Sequence, residues 1–276
     1  MPRVATLRAA IEVFHPAPSA AVVALSAALG AILLGQAGRP LDARWLATTV
    51  AVLGSQVFVG TTNDLVDRAR DQATARPDKP LATGSLSPET AVWIASGGLA
   101  LQLAASLQLG MTATLLGLAA VASALVYNLW LSRTPLSVLP YLVSFGLLAP
   151  WVAAGVGVPL DRVAIAPLLV APFAAAAHLA NALRDFDADA QLGSRNLAQV
   201  LGRTTAFRLA YALAMGVGIG VGAAFAIGGR LEPIGATLGL IGLVAVAQGY
   251  AGPHRLWLGM LLAAVCWTAA WAIGSG

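Results

Sequence analysis

Nine apolar segments, each about as long as a membrane-crossing helix, follow one another along this chain. They lie at roughly 17–36, 45–63, 91–109, 111–131, 136–157, 163–183, 206–227, 233–250 and 255–273. Only 10% of the residues are charged and 58% are hydrophobic, whereas about 25% of residues are charged in soluble domains. The sequence therefore predicts an all-α polytopic membrane protein with nine transmembrane helices. We expect a single domain over residues 1–276 and no separate soluble domain.

The basic residues predict the orientation of these helices. If the N-terminus is cytoplasmic, the cytoplasmic segments hold twelve Arg and Lys, namely Arg3, Arg8, Arg68, Arg70, Arg76, Lys79, Arg133, Arg184, Arg195, Arg203, Arg208 and Arg255. The outer segments hold four, Arg39, Arg44, Arg162 and Arg230, which we interpret as surface anchors. This asymmetry obeys the positive-inside rule. We expect a bacterial inner-membrane protein with its C-terminus outside, and no nucleic-acid partner, because the basic residues are scattered among loops.

One polar pattern, Asn-x3-Asp-x3-Asp, occurs twice in this apolar chain. The copies are Asn63, Asp67 and Asp71, and then Asn181, Asp185 and Asp189, and each residue of the second copy follows its counterpart by 118 positions. Residues four apart share one face of a helix, so each copy is predicted to form a stripe that continues a transmembrane helix. The offset predicts two related four-helix halves and an added ninth helix.

The chemistry of the two copies favours a divalent cation. Asp64 and Asp187 add carboxylates, and a set of carboxylate and amide oxygens suits Mg²⁺ or Mn²⁺. Two facing stripes can hold two or three Mg²⁺ ions around a diphosphate, and nearby cations can complete an anion clamp. Those cations are Arg68, Arg70, Arg76, Lys79, Arg133 and Arg195. The single cysteine, Cys266, excludes disulfides within the chain.

The residues around both copies resemble the signatures of the UbiA superfamily of intramembrane prenyltransferases. NDLVDRARD and ARPDKPLATGSLS, over 63–71 and 75–87, are similar to the first signature. NALRDFDADAQLGSRNLAQVLGR, over 181–203, is similar to the second. The resemblance covers nearly the whole chain. It implies Mg²⁺-dependent transfer of a prenyl group from a prenyl diphosphate to a lipophilic or aromatic acceptor within the membrane.

The resemblance also implies roles for individual residues. The metal ligands would be Asn63, Asp64, Asp67, Asp71, Asp185 and Asp189. Asp67, Asp71 and Asp185 would serve catalysis together with Tyr127, whose ring face can stabilise a prenyl cation. Substrate contacts are predicted for Lys79, Arg133, Arg76, Arg195, Asn128 and Asn181. For Asn128 an interhelical hydrogen bond is the more frequent role.

Two departures from the family pattern concern positioning. Ser132 stands where Lys is frequent, and Asn196 stands where Thr is common. His178, near Asn181, either touches substrate or packs at the mouth of the bundle, while His15 is predicted to be interfacial.

Three other functions fit parts of this pattern. A UbiA-type terpene cyclase would use the same site without an acceptor. A secondary transporter also has intramembrane acids and repeats, but its site would lie at the bilayer midplane. A CDP-alcohol phosphotransferase would need Asp-Gly and Ala-Arg in one continuous signature, whereas Arg68 follows Asp67 here. The sequence leaves the acceptor, the prenyl chain length and the oligomeric state open.

Overall fold

The computed structural model describes residues 2–228 and 232–273, with side chains from residue 6 onward. Arg230, one of the predicted outer anchors, lies outside these residues, as does the side chain of Arg3. The described part of the chain is helical and contains nine helices long and apolar enough to cross a membrane. We number them spans 1 to 9: Pro16–Gln36, Ala43–Ala73, Pro88–Leu107, Met111–Leu131, Leu139–Val156, Leu160–Arg184, Arg203–Ile227, Pro233–Ala251 and Pro253–Ile273. The predicted fold is confirmed, and the chain forms an integral membrane protein.

Several spans depart from a regular α-helix. Span 4 ends in a π-helical turn, Tyr127–Leu131, and such turns often mark functional positions. Span 5 consists of the helices Leu139–Gly146 and Leu148–Val156. Span 6 starts with a 3₁₀ turn, Leu160–Val163, and continues as the helix Ala166–Arg184, which contains Pro172.

Short helices lie where the two Asn-x3-Asp-x3-Asp copies emerge, which we call the motif end of the bundle. They are Pro2–Glu12, Pro80–Thr83, Phe186–Gln191 and Leu197–Leu201. The N-terminal helix carries the expected i,i+4 pair between Arg8 and Glu12, at 2.7 Å.

The spans pack closely where small residues meet. Span 2 packs against spans 1 and 3, and span 6, its counterpart in the repeat, packs against spans 5 and 7. A Cβ added at Gly54 would lie 2.6 Å from the backbone nitrogen of Gln102 and 2.7 Å from the carbonyl of Gly98. Only glycine therefore allows spans 2 and 3 to approach this closely.

At the opposite end, Arg39 and Arg44 bind backbone carbonyls. Arg39 donates to the carbonyl of Val156 at 3.0 Å, and Arg44 donates to those of Gly155 and Leu109 at 3.0 and 2.8 Å. The last carbonyls of a helix have no partner within the helix. These two predicted surface anchors therefore join the ends of spans 2, 3 and 5.

Candidate metal and anion site

The first Asn-x3-Asp-x3-Asp copy lies on an unbroken helix, as predicted. Span 2 continues ten residues beyond Asn63, so Asn63, Asp67 and Asp71 share one face. Asn63 donates to the side-chain carbonyl of Asn128 at 3.2 Å, and Asn128 donates to the carbonyl of Val59 at 2.9 Å. Asn128 is 4% exposed. Its amide thus fixes the orientation of Asn63 across the two spans.

Each of two carboxylates in this region contacts a cation from another segment. Asp67 accepts a hydrogen bond of 2.5 Å from Arg133, which lies between spans 4 and 5. Asp64 accepts one of 2.5 Å from Lys79, and His15 Nε2 lies 2.9 Å from the same oxygen, Oδ1. Asp64 is 1% exposed, and its other oxygen, Oδ2, has no hydrogen-bond partner among the described residues. A buried carboxylate oxygen without a partner is costly, which marks it as a position for a ligand.

The second copy does not lie on one continuous helix, and the prediction of an uninterrupted stripe was wrong. The helix of span 6 ends at Arg184, Asp185 adopts φ −99° and ψ 13°, and a new helix begins at Phe186. Asp and other short polar residues favour such boundaries because they can cap a helix, and acidic residues in the first turn favour its N-terminus. Asp187 and Asp189 occupy that turn.

Asp189 joins the second copy to the first. One of its oxygens forms an ion pair with Arg70 of span 2, and the other accepts a hydrogen bond of 2.8 Å from Asn196. Burial raises the pKa of Asp189, and the charge of Arg70 opposes that rise. Asn196 also accepts from the backbone nitrogen of Gln199 and so caps the helix Leu197–Leu201. Asn196 thus supplies the donor to Asp189 at the position where Thr is common in the family signature.

The remaining predicted anion contacts surround this junction. Arg76 binds Asp78 through two hydrogen bonds, at 2.9 and 2.8 Å. Asp78 raises the pKa of Arg76, and Asp185 and Asp71 make smaller contributions of the same sign, so Arg76 lies within electrostatic range of both copies. Arg195 is exposed, and its backbone nitrogen donates to the carbonyl of Arg133 at 3.0 Å.

Asn181 and Asp185 are exposed at the motif end. Asp187 points elsewhere, because it pairs with Arg203 of span 7.

Aromatic side chains line the bundle beside the carboxylates. The ring of Tyr127 meets that of Tyr141 edge-on, with centroids 5.2 Å apart, and Tyr127 lies within electrostatic range of Asp67 and Asp189. Tyr141 also packs on His178, at 4.5 Å between centroids. His178 Nε2 lies 3.0 Å from the hydroxyl of Ser137. His178 is therefore a packed histidine that adjoins Tyr127 through the aromatic cluster.

The carboxylates remain separated by their bound cations. In the part of the chain that the structure describes, no three His, Cys, Asp or Glu side chains converge closely enough to hold a metal ion. Arg133 and Arg70 occupy carboxylate oxygens that a metal would use, and Lys79 pairs with Oδ1 of Asp64. The geometry is thus that of an acidic site in which arginine and lysine pair with Asp64, Asp67 and Asp189.

Sequence reasoning missed His15, Tyr141 and Arg70's role as the link between the two copies. His15 lies 49 positions before Asp64, and nothing local connects them. A signal did exist, since His15 precedes Arg133 by 118 positions, which is the offset of the repeat.

The fold and the site define a polytopic integral membrane protein with a composite acidic site at one end of its bundle. The chain belongs to the UbiA prenyltransferase family, whose profile matches residues 23–255. No curated protein matches the sequence.

Solved structures share this fold. A digeranylgeranylglyceryl phosphate synthase is 16% identical with a TM-score of 0.71, over 97% of this chain and 99% of that one. A UbiA homologue from Aeropyrum pernix K1 is 21% identical with a TM-score of 0.68, over 92% and 96%. A UbiA homologue from Archaeoglobus fulgidus bound to DMAPP and Mg²⁺ is 17% identical with a TM-score of 0.71, over 96% and 98%. At these identities the likeness establishes the fold.

Proposed function

We propose that this protein transfers a prenyl group from a prenyl diphosphate to a lipophilic acceptor, with Mg²⁺ as cofactor. The observation that carries the proposal is the meeting of the two acidic motifs at one end of the bundle, linked by Arg70 and Asp189. Membership of the UbiA prenyltransferase family supports the reaction class. Homologues of the same fold bind DMAPP or GPP together with Mg²⁺, which supports the donor and the cofactor.

The residues present fit a hard divalent cation. The donor set consists of carboxylate and amide oxygens, and the buried Oδ2 of Asp64 has no partner among the described residues. Asn63, Asp64, Asp67, Asp71, Asp185 and Asp189 would hold the metal. Bound Mg²⁺ would neutralise the leaving diphosphate and so lower the barrier to C–O cleavage.

The cations now paired with these carboxylates would bind the diphosphate. Once released from their carboxylate partners, Arg133, Lys79 and Arg70 would bind the phosphate oxygens. Arg76 and Arg195 lie at the same junction and add to the clamp. These ion pairs thus balance the charge of three motif carboxylates.

The reaction would then proceed on the prenyl chain. The C1–O bond breaks heterolytically, and its electron pair leaves with the diphosphate. The allylic cation faces the ring of Tyr127, which stabilises it, and Tyr141 holds that ring edge-on. The acceptor attacks C1 and afterwards loses a proton. Asn128 would act by orienting Asn63, and Asn181 would contact the substrate from the exposed end of span 6.

We place the motif end in the cytoplasm of a bacterium. The excess of basic residues at this end supports that orientation. Cysteines introduced at residues 85 and 161, in the polar connection and at the opposite end, should react with an impermeant thiol reagent from opposite sides of sealed vesicles. The reverse pattern would contradict it.

The experiment uses purified protein in nanodiscs with DMAPP or GPP, Mg²⁺ and a panel of aromatic acceptors, read by mass spectrometry and diphosphate release. Asp67→Ala and Asp185→Ala should each lower turnover at least about 1,000-fold, equivalent to ~4 kcal/mol. Asp161→Ala, an acid at the opposite end, should leave it unchanged. Full activity in either motif variant would overturn the mechanism, and a cyclised hydrocarbon made without acceptor would favour the cyclase.

A further inference from the structure

The junction between the N-terminal helix and span 1 enters the site through His15. Its Nε2 lies 2.9 Å from Asp64 Oδ1 and 3.2 Å from Lys79 Nζ, which itself lies 2.5 Å from the same oxygen. Asp64 Oδ1 therefore accepts a hydrogen bond from Lys79 and lies beside His15 Nε2, which donates to it in the tautomer that carries the proton on Nε2. The buried Oδ2 has no partner among the described residues. One carboxylate oxygen is held, and the other is left for a ligand.

The backbone at His15 is strained, and packing on both sides holds it. His15 has φ 55° and ψ 71° and stands before Pro16. The left-handed region is unfavourable for a residue that carries a side chain. Val13 is fully buried against the cluster that contains Leu81 and Leu86. Strain that is maintained by the surroundings often accompanies function.

Phe14 fixes the other side of the junction. A Cβ added at Gly60 would lie 2.7 Å from the carbonyl oxygen of Phe14, so the chain crosses span 2 at a glycine. The same carbonyl accepts a hydrogen bond of 2.7 Å from Ser19. Since Gly60 lies one turn before Asp64, these contacts set the distance from His15 to the first motif.

The repeat provides an independent argument. His15 and Arg133 are 118 positions apart, which is the offset of the repeat, and each lies in the segment that leads into the first span of its half. Arg133 binds Asp67, and His15 contacts Asp64. The connection that leads into each half thus sends one side chain to a carboxylate of the first motif.

We infer that His15 is a positioning residue of the metal–diphosphate site: it holds Asp64 Oδ1 so that Oδ2 can bind the metal while Lys79 turns to the diphosphate. The inference rests on the proposed function. Lys79 and His15 both lie at Oδ1 of Asp64, so His15 can keep that oxygen in place when the Lys79 ammonium, which suits a phosphate, turns to the diphosphate. Carboxylates that bind a metal are commonly held by such outer hydrogen bonds, whose loss weakens metal binding about 10–100-fold.

The test measures Mn²⁺ binding to the full-length protein by electron paramagnetic resonance, without substrate turnover. His15→Gly, which suits the backbone, and His15→Phe, which keeps the ring volume, both remove the donor. Each should weaken Mn²⁺ binding about 10-fold or more with little change in the thermal midpoint. His15→Gln, which keeps a donor of similar reach, should restore most of the affinity, and this rescue would not follow from a purely structural role.

Two controls make the result specific. Arg8→Ala removes an exposed pair on the same N-terminal helix and should leave Mn²⁺ binding unchanged. Lys79→Ala should weaken the additional binding of inorganic diphosphate more than the binding of Mn²⁺ alone. Wild-type affinity for Mn²⁺ in both donor-removing variants would overturn the inference and leave the proposed function standing. Failure of the wild-type protein to bind Mn²⁺ would overturn both.

Discussion

Spans 2 and 6 carry the same polar triplet on two different backbones. Span 2 is one helix from Ala43 to Ala73, packed through Gly54 and Gly60 against its neighbours. Span 6 begins with a 3₁₀ turn, contains Pro172 and ends at Arg184, before the last two triplet positions. The first motif is therefore placed by a single rigid helix. The second is placed by contacts from the polar segment that follows it.

This difference shows that the two halves of the protein hold their motifs in position in different ways. In the first half, helix geometry alone puts three motif residues on one face. In the second, Asn196 and Arg70 hold Asp189 in position. Substitutions at positions related by the 118-residue offset can therefore separate the two arrangements.

The largest expected difference concerns packing. Gly98→Ala should destabilise the protein by about 2–3 kcal/mol, because the new Cβ would lie 2.8 Å from the backbone nitrogen of Phe58 and 2.9 Å from the carbonyl of Gly54. At its counterpart, Gly216, an added Cβ would have no neighbouring atom within 4 Å. Gly216→Ala should thus change stability by no more than about 0.5–1 kcal/mol, in the favourable direction. Thermal unfolding in one detergent measures both, and equal losses would contradict the comparison.

A smaller effect is expected where the second motif depends on its neighbouring segment. Asn196→Ala removes a donor to Asp189 and a helix cap, and a hydrogen bond to a charged group contributes about 1.5–3 kcal/mol. We expect kcat/KM for the prenyl diphosphate to fall about 10-fold, or ~1.4 kcal/mol. Asn196→Thr keeps an acceptor for the cap and a hydroxyl donor, and should retain most activity.

The matched position in the first half is Asp78, 118 residues earlier. Asp78→Ala should change kcat/KM less than twofold, because the Asp78–Arg76 pair is partly exposed and such pairs contribute about 0–1 kcal/mol. A loss as large as that of Asn196→Ala would show that both motifs depend on their loops.

The smallest effect is a pH dependence of stability at Asp78. The hydrogen bonds from Arg76 lower the pKa of Asp78 to about 2, below its ordinary value of about 3.9. A carboxylate whose pKa is lowered on folding stabilises the folded state at pH values above its ordinary pKa. This stabilisation is lost as the pH falls through about 2. The stability difference between wild type and Asp78→Asn should be constant and under about 0.5 kcal/mol from pH 5 to 8, and should shrink below pH 4. A difference that changes near neutral pH would contradict this assignment.

The nine spans and the meeting of the two motifs followed from the sequence, because apolar length and residue spacing are local quantities. Spacing alone did not reveal the break in the helix at Asp185. The spacing Asn-x3-Asp-x3-Asp is the same whether the motif lies on one continuous helix or on two successive helices. The acidic first turn after Phe186 was the available signal.

The contacts between distant segments were less accessible. Arg70 with Asp189, Arg133 with Asp67 and His15 with Asp64 join residues far apart in the chain. Which cation meets which carboxylate depends on helix rotation and on the path of the loops, and neither has a sequence pattern of its own. The π-helical turn that carries Tyr127 and Asn128 could not be predicted for the same reason, because it has no sequence pattern of its own.

The crossing of Phe14 over Gly60 has a consequence for biosynthesis. Chains are made from the N-terminus at about 5–20 residues per second, so His15 exists before the carboxylate of Asp64 is synthesised. Likewise Arg70 exists before Asp189. For both carboxylates a hydrogen-bonding or positively charged partner is thus already in the nascent chain, whereas Lys79, the cation that pairs with Asp64, is added 15 residues later.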